Sequence, residues 1–249
     1  MTEEIVSDYD VRSPASRTLI TVIGTLLAVG VILGLLLGAS ILMKKTTSTT
    51  SVVKLDNVAQ IVVRGTSADI RIVPGADADA ITVHAKVTSG LKKTDYQLGR
   101  KGDELKVVSD CLSWLSPGCG VSLTIEVPKD FPILVETTSG DVSASEPGGN
   151  LTVSTASGDI SATKLAIDEL SAESRSGDIS AQFVDQPFAF KATTSSGDIS
   201  ATIPSGKRTY TVTAESNSGD VTSGITSDDK GEGFIRATSK SGDIRLRGN

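Results

Sequence analysis

Aromatic residues are scarce in this chain: five Phe, three Tyr and one Trp make up 4% of 249 residues, and the apolar positions are often Ala or Val. Such small side chains suit a thin core assembled from many modest contributions better than a thick globular one. There is one histidine, and no Ser-His-Asp arrangement, phosphate-binding glycine loop or metal-ligand spacing is found, so the sequence points to no catalytic, cofactor or metal chemistry. No Lys/Arg stripe interleaved with aromatics occurs, and a formal charge of −6 argues against a nucleic-acid partner. Only two cysteines are present, Cys111 and Cys119.

What is abundant is repetition. Ser139-Gly140-Asp141 recurs as Ser157-Gly158-Asp159, Ser176-Gly177-Asp178, Ser196-Gly197-Asp198, Ser218-Gly219-Asp220 and Ser241-Gly242-Asp243, at intervals of 18, 19, 20, 22 and 23 residues. The flanks keep register. Two residues before each Ser stand Thr137, Thr155, Ser174, Thr194, Ser216 and Ser239, and three after it come Val142, Ile160, Ile179, Ile199, Val221 and Ile244. These offsets step by two on both sides of the corner, the period of a half-buried strand. Each unit is therefore strand, tight corner, strand, and too small to bury its own apolar face. Stacking would set like residues above like, which predicts an all-β fold, a β-solenoid of Ser-Gly-Asp repeats. An antiparallel meander with a two-residue hairpin at each Ser-Gly-Asp is the competing arrangement.

Residues 1–17 read as a disordered tail, with Ser13-Pro14-Ala15-Ser16 discouraging regular structure. No charge occurs from Thr18 to Met43, a run of 26 residues bounded by Arg17 and Lys44-Lys45. It is long enough to cross a bilayer core of roughly 30 Å, and it predicts one N-terminal transmembrane α-helix over residues 18–43. A cleaved signal would need a shorter apolar run and a small-x-small site, and Ser40 stands where a lipid-bearing Cys would be required. The flanking cations balance and leave the orientation open. Cys111 and Cys119, closely spaced on a β-rich domain, read as a disulfide, which persists outside the cytoplasm. On that reading the tail is cytoplasmic and the remainder faces outward. Gly30, Gly34 and Gly38 share one helix face, either as a close-packed dimer interface or because glycine is common in membrane helices.

Residues 44–51 form a polar linker, and the β-domain is expected over 52–249. Ile61 to Ile72 resembles a degenerate first coil, with Ala68 in place of the glycine. Residues 74–130 are less repetitive, as a covering end of a solenoid would be. Arg245 and Arg247 alternate with Ile244 and Leu246, charges expected to border a final edge strand. The only histidine, His84, reads as a solvent-facing strand residue.

The run Leu123 to Asp130, continuing through Ile133 to Thr138 into Ser139-Gly140-Asp141-Val142 and the iterated units, resembles the bacterial DUF4097 family, often labelled an adhesin family. The resemblance covers roughly residues 52 to 249. It implies a solenoid-like fold, an envelope location and, in some relatives, association with envelope-stress systems. It carries over no catalytic residues.

Two chemistries remain for the corner aspartates Asp141, Asp159, Asp178, Asp198, Asp220 and Asp243. They could hold a ladder of calcium ions, or each could accept turn N–H groups while Gly140, Gly158, Gly177, Gly197, Gly219 and Gly242 take positive φ; the second reading is favoured. Trp114, between the cysteines, is either an exposed partner anchor or a buried cap on the core. The expected function is that of a membrane-anchored, non-catalytic envelope protein presenting a repetitive surface to cell-wall polymers or envelope proteins. A regulatory component of an envelope-stress response, with the anchor forming a homodimer, is one alternative. A β-helical polysaccharide-cleaving enzyme is the other.

Overall fold

A computed structural model describes residues 14–42, 44–56, 58–89, 95–102, 104–110, 119–129 and 131–249. Helix α1 spans Pro14–Leu42. Pro14 is its first residue, where the absent N–H costs nothing, so the segment Pro14-Ala15-Ser16 begins the helix and is not part of a structureless tail. The stretch Val22–Ala39 is apolar and long enough to cross a membrane, and none of it is buried against the rest of the chain.

The strands that follow are β1 (Lys45–Lys54), β2 (Gln60–Pro74), β3 (Ala80–Ser89), β4 (Asp95–Lys101), β5 (Glu104–Asp110) and β6 (Gly120–Val127). Six strand–corner–strand coils come next: β7 (Ile133–Ser139) with β8 (Val142–Ser145), β9 (Leu151–Ser157) with β10 (Ile160–Leu165), and β11 (Glu169–Ser176) with β12 (Ile179–Phe183). The last three are β13 (Ala189–Ser196) with β14 (Ile199–Ile203), β15 (Tyr210–Ser216) with β16 (Val221–Ser223), and β17 (Gly233–Ser241) with β18 (Ile244–Gly248).

The coils stack in parallel, like on like. Ile160 pairs with Val142 on one side and Ile179 on the other, and Ala162 with Ala144 and Ala181. The antiparallel meander is thereby excluded. First strands form one sheet and second strands another, while β2 bends at Ser67-Ala68-Asp69 to serve both, pairing with β7 and with β8. It is the first coil of the array, as its sequence predicts. Between the sheets lies a core of Ile, Leu, Val and Ala columns, in which Ile70, Ile133, Leu151, Ile160, Phe190 and Ile244 are at most 2% exposed. Each such aliphatic side chain contributes about 1.5–3 kcal/mol by leaving water.

Sequence order and spatial order part at both ends. β17 pairs with β13 on one side and β15 on the other, and β18 likewise lies between β14 and β16. The sixth repeat is thus interior and the fifth is the terminal coil. Arg245 and Arg247 therefore do not guard an edge as expected; the edge strand is β16. Inward positions explain the exchange: the sixth coil offers Ile235, Ala237, Ile244 and Leu246, all buried, whereas the fifth offers Val212, Ala214, Val221 and Ser223, with Val221 left 43% exposed. The better hydrophobic set occupies the position with two neighbours.

At the other end β5 and β6 pack outside β2. Antiparallel strands complete that end: β3 on β6, β1 on β3, and β4 on β5. The stretch read as a polar linker is therefore the strand β1, and the β-domain begins at Lys45. Its Thr and Ser residues favour a pleated conformation, and Thr46 shares a hydroxyl contact of 3.1 Å with Thr88 on β3.

Candidate functional site

The corner geometry fixes why each unit reads Ser-Gly-Asp. The six corner glycines have φ between +126° and +158°. At Gly177, a Cβ would fall 2.1 Å from the carbonyl oxygen of Gly158 on the neighbouring coil, and at Gly158 it would fall 2.2 Å from that of Gly140. Side chains are excluded there by the backbone above as well as by φ. Ala68 opens the column, and its carbonyl faces Gly140.

The aspartates form one continuous ladder. Oδ1 of Asp69 accepts the N–H of Asp141 at 3.2 Å, Asp141 accepts from Asp159 at 2.9 Å, and Asp159 from Asp178 at 2.8 Å. Asp178 then accepts from Asp198, Asp198 from Asp243, and Asp243 from Asp220, at 2.8, 2.8 and 2.9 Å. The ladder follows the spatial order of coils. Two carboxylates about 5 Å apart in water repel by about 1 kcal/mol, and an N–H bond to a charged oxygen offsets this with about 1.5–3 kcal/mol. Arg245, interior in the stack, adds cationic cover, with Nη2 2.6 Å from Asp243 Oδ2 and Nη1 3.6 Å from Asp198 Oδ2. Among the described residues no group of three or more His, Cys, Asp or Glu is placed to hold a metal ion.

In the hydroxyl column two residues before each Ser, Thr137, Thr155, Ser174, Thr194 and Ser239 are buried and Ser216, on the terminal coil, is half-buried. Ser174 Oγ donates to Gly158 O at 3.3 Å, Thr194 Oγ1 to Gly177 O at 3.2 Å, Ser239 Oγ to Gly197 O at 3.2 Å and Ser216 Oγ to Gly242 O at 2.8 Å. These groups tie corner to corner. What faces solvent are the aspartates and, two residues on, a row comprising Ser161, Ser180 and Ser200, aligned in register.

Other residues singled out by sequence fall apart from this corner. His84 is exposed, its Nδ1 3.0 Å from Thr50 Oγ1 and its Nε2 3.2 Å from Glu126 Oε1. Trp114 and Cys111 lie outside the described residues, and Cys119 directly precedes β6. At Gly30, Gly34 and Gly38 an added Cβ would meet nothing within 4 Å, so among the described residues that helix face is unpartnered.

A second locus was not legible in the sequence. Gln186 and Arg208, in the connections after β12 and β14, hold each other: Gln186 Nε2 donates to Arg208 O at 3.0 Å, Arg208 N donates to Gln186 Oε1 at 3.0 Å, and Arg208 Nη1 donates to Gln186 O at 2.6 Å. The guanidinium lies 5.9 Å from the centroid of the Phe188 ring. Beside it, burial raises the Tyr210 hydroxyl above its ordinary pKa, while Arg208 draws it down by a smaller amount. The only advance signal was the lengthening of the last two repeat intervals to 22 and 23 residues.

The parallel stack is matched by a family profile over residues 58–184 and again over 134–247, that of Toastrack DUF4097. This chain belongs to the Toastrack DUF4097 family. The two overlapping matches reflect the internal repetition of the Toastrack coils. No curated protein matches the chain. Among solved structures, a candidate cell-adhesion protein from Clostridium sporogenes is similar at 11% identity and a TM-score of 0.51, covering 82% of this chain and 100% of that one. A candidate adhesin from Bacteroides fragilis aligns at 14% identity and a TM-score of 0.45, covering 82% and 97%. The first of these shows a shared fold with this Toastrack domain.

Proposed function

We propose that this Toastrack protein is a membrane-anchored, non-catalytic component of the cell envelope whose stacked domain presents a regular polar surface to envelope polymers or proteins. The observation that carries the reading is the single rod of parallel coils, with its aspartate and serine rows in register, joined through residues 43 and 44 to an apolar helix long enough to span a bilayer. In this reading α1 is an uncleaved anchor, the residues before it are cytoplasmic, and the β-domain lies outside. A Cys111–Cys119 disulfide belongs to the same reading, since such a bond persists on the oxidising side. The adhesion names given to proteins of similar fold agree with a surface role.

A regulatory role in an envelope-stress response is the second reading, and the unpartnered Gly30, Gly34 and Gly38 face favours it by offering a surface for self-association in the membrane. Two measurements test the proposal. Protease added to intact cells should degrade the β-domain only in its outward orientation, and full-length protein in nanodiscs should co-sediment with isolated cell-wall sacculi. Protection from protease together with no sedimentation would refute it.

A further inference from the structure

Interior placement of β17 and β18 forces the chain to cross itself at the strand ends remote from the Ser-Gly-Asp corners. Residues 204–209 carry it from β14 past that coil to β15, and residues 224–232 bring it back from β16 to β17. Between the crossings lies a cleft of about 820 Å³, within the range of small-ligand sites, whose lining includes Gln186, Arg208, Tyr210, Asp228, Asp229 and Lys230.

Its parts are fixed before any ligand arrives. Gln186 holds Arg208 by three hydrogen bonds, two of them to the Arg208 backbone. Tyr210 Oη donates to Pro187 O at 2.9 Å, and Asp228 Oδ1 accepts the Lys230 N–H at 2.9 Å. Among the described residues Arg208 has no ion-pair partner. Phe188, over which its guanidinium lies, is 50% exposed and meets Phe234 edge to face at 6.3 Å.

The lining charges cancel, with Arg208 and Lys230 opposed by Asp228 and Asp229. A densely charged anion such as phosphate gains little there, whereas one carboxylate per sugar unit meets the one guanidinium. A ligand with one carboxylate and several hydroxyls matches the set: a held guanidinium forks onto a carboxylate, and aspartates accept from sugar hydroxyls. We propose that this cleft binds a saccharide unit carrying a single carboxylate, with Arg208 on the carboxylate and Asp228 and Asp229 on the hydroxyls. This deepens the envelope-polymer reading and rests on it.

The test is calorimetric titration of full-length protein in nanodiscs with trigalacturonic acid, with maltotriose and with inorganic phosphate. Trigalacturonic acid should bind and the other two should not. Arg208→Gln, which keeps both backbone bonds to Gln186, should weaken binding about tenfold or more, Arg208→Lys should fall between, and Arg71→Gln, exposed on β2 at the other end of the stack, should change nothing. An unfolding midpoint matched to wild type shows that the Arg208 variants are folded. Equal binding of maltotriose, comparable binding of phosphate, or an unchanged Arg208→Gln affinity would each overturn the proposal. Failure to bind trigalacturonic acid while sacculi are still captured removes the cleft and leaves the envelope reading standing; binding of the acid without capture of sacculi removes the envelope reading instead.

Discussion

Replacing one corner glycine measures how much of the fold depends on backbone contact between coils. In Gly177→Ala the new Cβ would lie 2.1 Å from the Gly158 oxygen and 2.6 Å from its carbonyl carbon, at a φ of +151°. An ordinary carbon–oxygen contact is more than 1 Å longer, and the obstructing atoms are backbone held in the ladder, so the coils must separate at this corner. That separation weakens the Asp178 N–H bond to Asp159 and the Gly158 N–H bond to Ser176 O, 2.8 and 3.0 Å in the native stack. Strain of about 1–3 kcal/mol from φ, with about 1 kcal/mol for each disturbed hydrogen bond, gives a loss of about 3–5 kcal/mol. For a domain of this size that lowers the melting temperature by about 6–20 °C. Gly102→Ala is the internal control, because Gly102 has φ +65° with nothing within 4 Å of an added Cβ, and strain alone costs about 1–2 kcal/mol. Circular dichroism melts of the two variants give the comparison. If Gly177→Ala is no more destabilising than Gly102→Ala, contact between corners is not what requires glycine.

Three further outcomes are expected. Calcium chloride at millimolar concentration should leave the melting temperature unchanged, because the ladder Oδ1 atoms already accept backbone N–H groups; a calcium-dependent rise would restore the cation-ladder reading of these corners. Thr194→Val should cost about 0.5–1.5 kcal/mol in urea unfolding through loss of its bond to Gly177 O, and an unchanged midpoint would show that the buried hydroxyl column is dispensable. Burial raises the Tyr210 pKa above 10.0, so its unfolded form ionises first. Its stabilising share is complete below pH 10.0 and is lost as pH rises through the folded value, so Tyr210→Phe should flatten the decline of stability measured above pH 10.0.

Much of the fold was legible because the repeat is written in side-chain size. Val135, Val153, Ala172, Ala192 and Ala237 line one buried column, and Ile160, Ile179, Ile199 and Ile244 another, and alternation by two can place such columns only on one side of a strand. The candidate site was legible in part. The glycine and aspartate of each corner were apparent, but the aspartates accept the N–H of the aspartate on the neighbouring coil and not, as the sequence suggested, of their own turn. Asp69 as the start of the ladder and Arg245 as its cationic cover were not, since both depend on which coil lies beside which. The strand at Lys45–Lys54 was missed for a related reason: a run of Thr and Ser has no apolar period, and β3 supplies the partner that orders it.

From the residues alone came the unit, its corner chemistry, the parallel stacking and the apolar helix ahead of it, because each depends on local alternation, on φ at glycine or on the length of an uncharged run. Coil order, the antiparallel cover over one end and the Arg208 cleft were settled only in three dimensions. Repeats with matching columns are interchangeable as neighbours, so nothing local tells the fifth from the sixth. Burying Ile235, Ile244 and Leu246 on both sides, and leaving Val221 and Ser223 at the rim, decides which coil ends the rod.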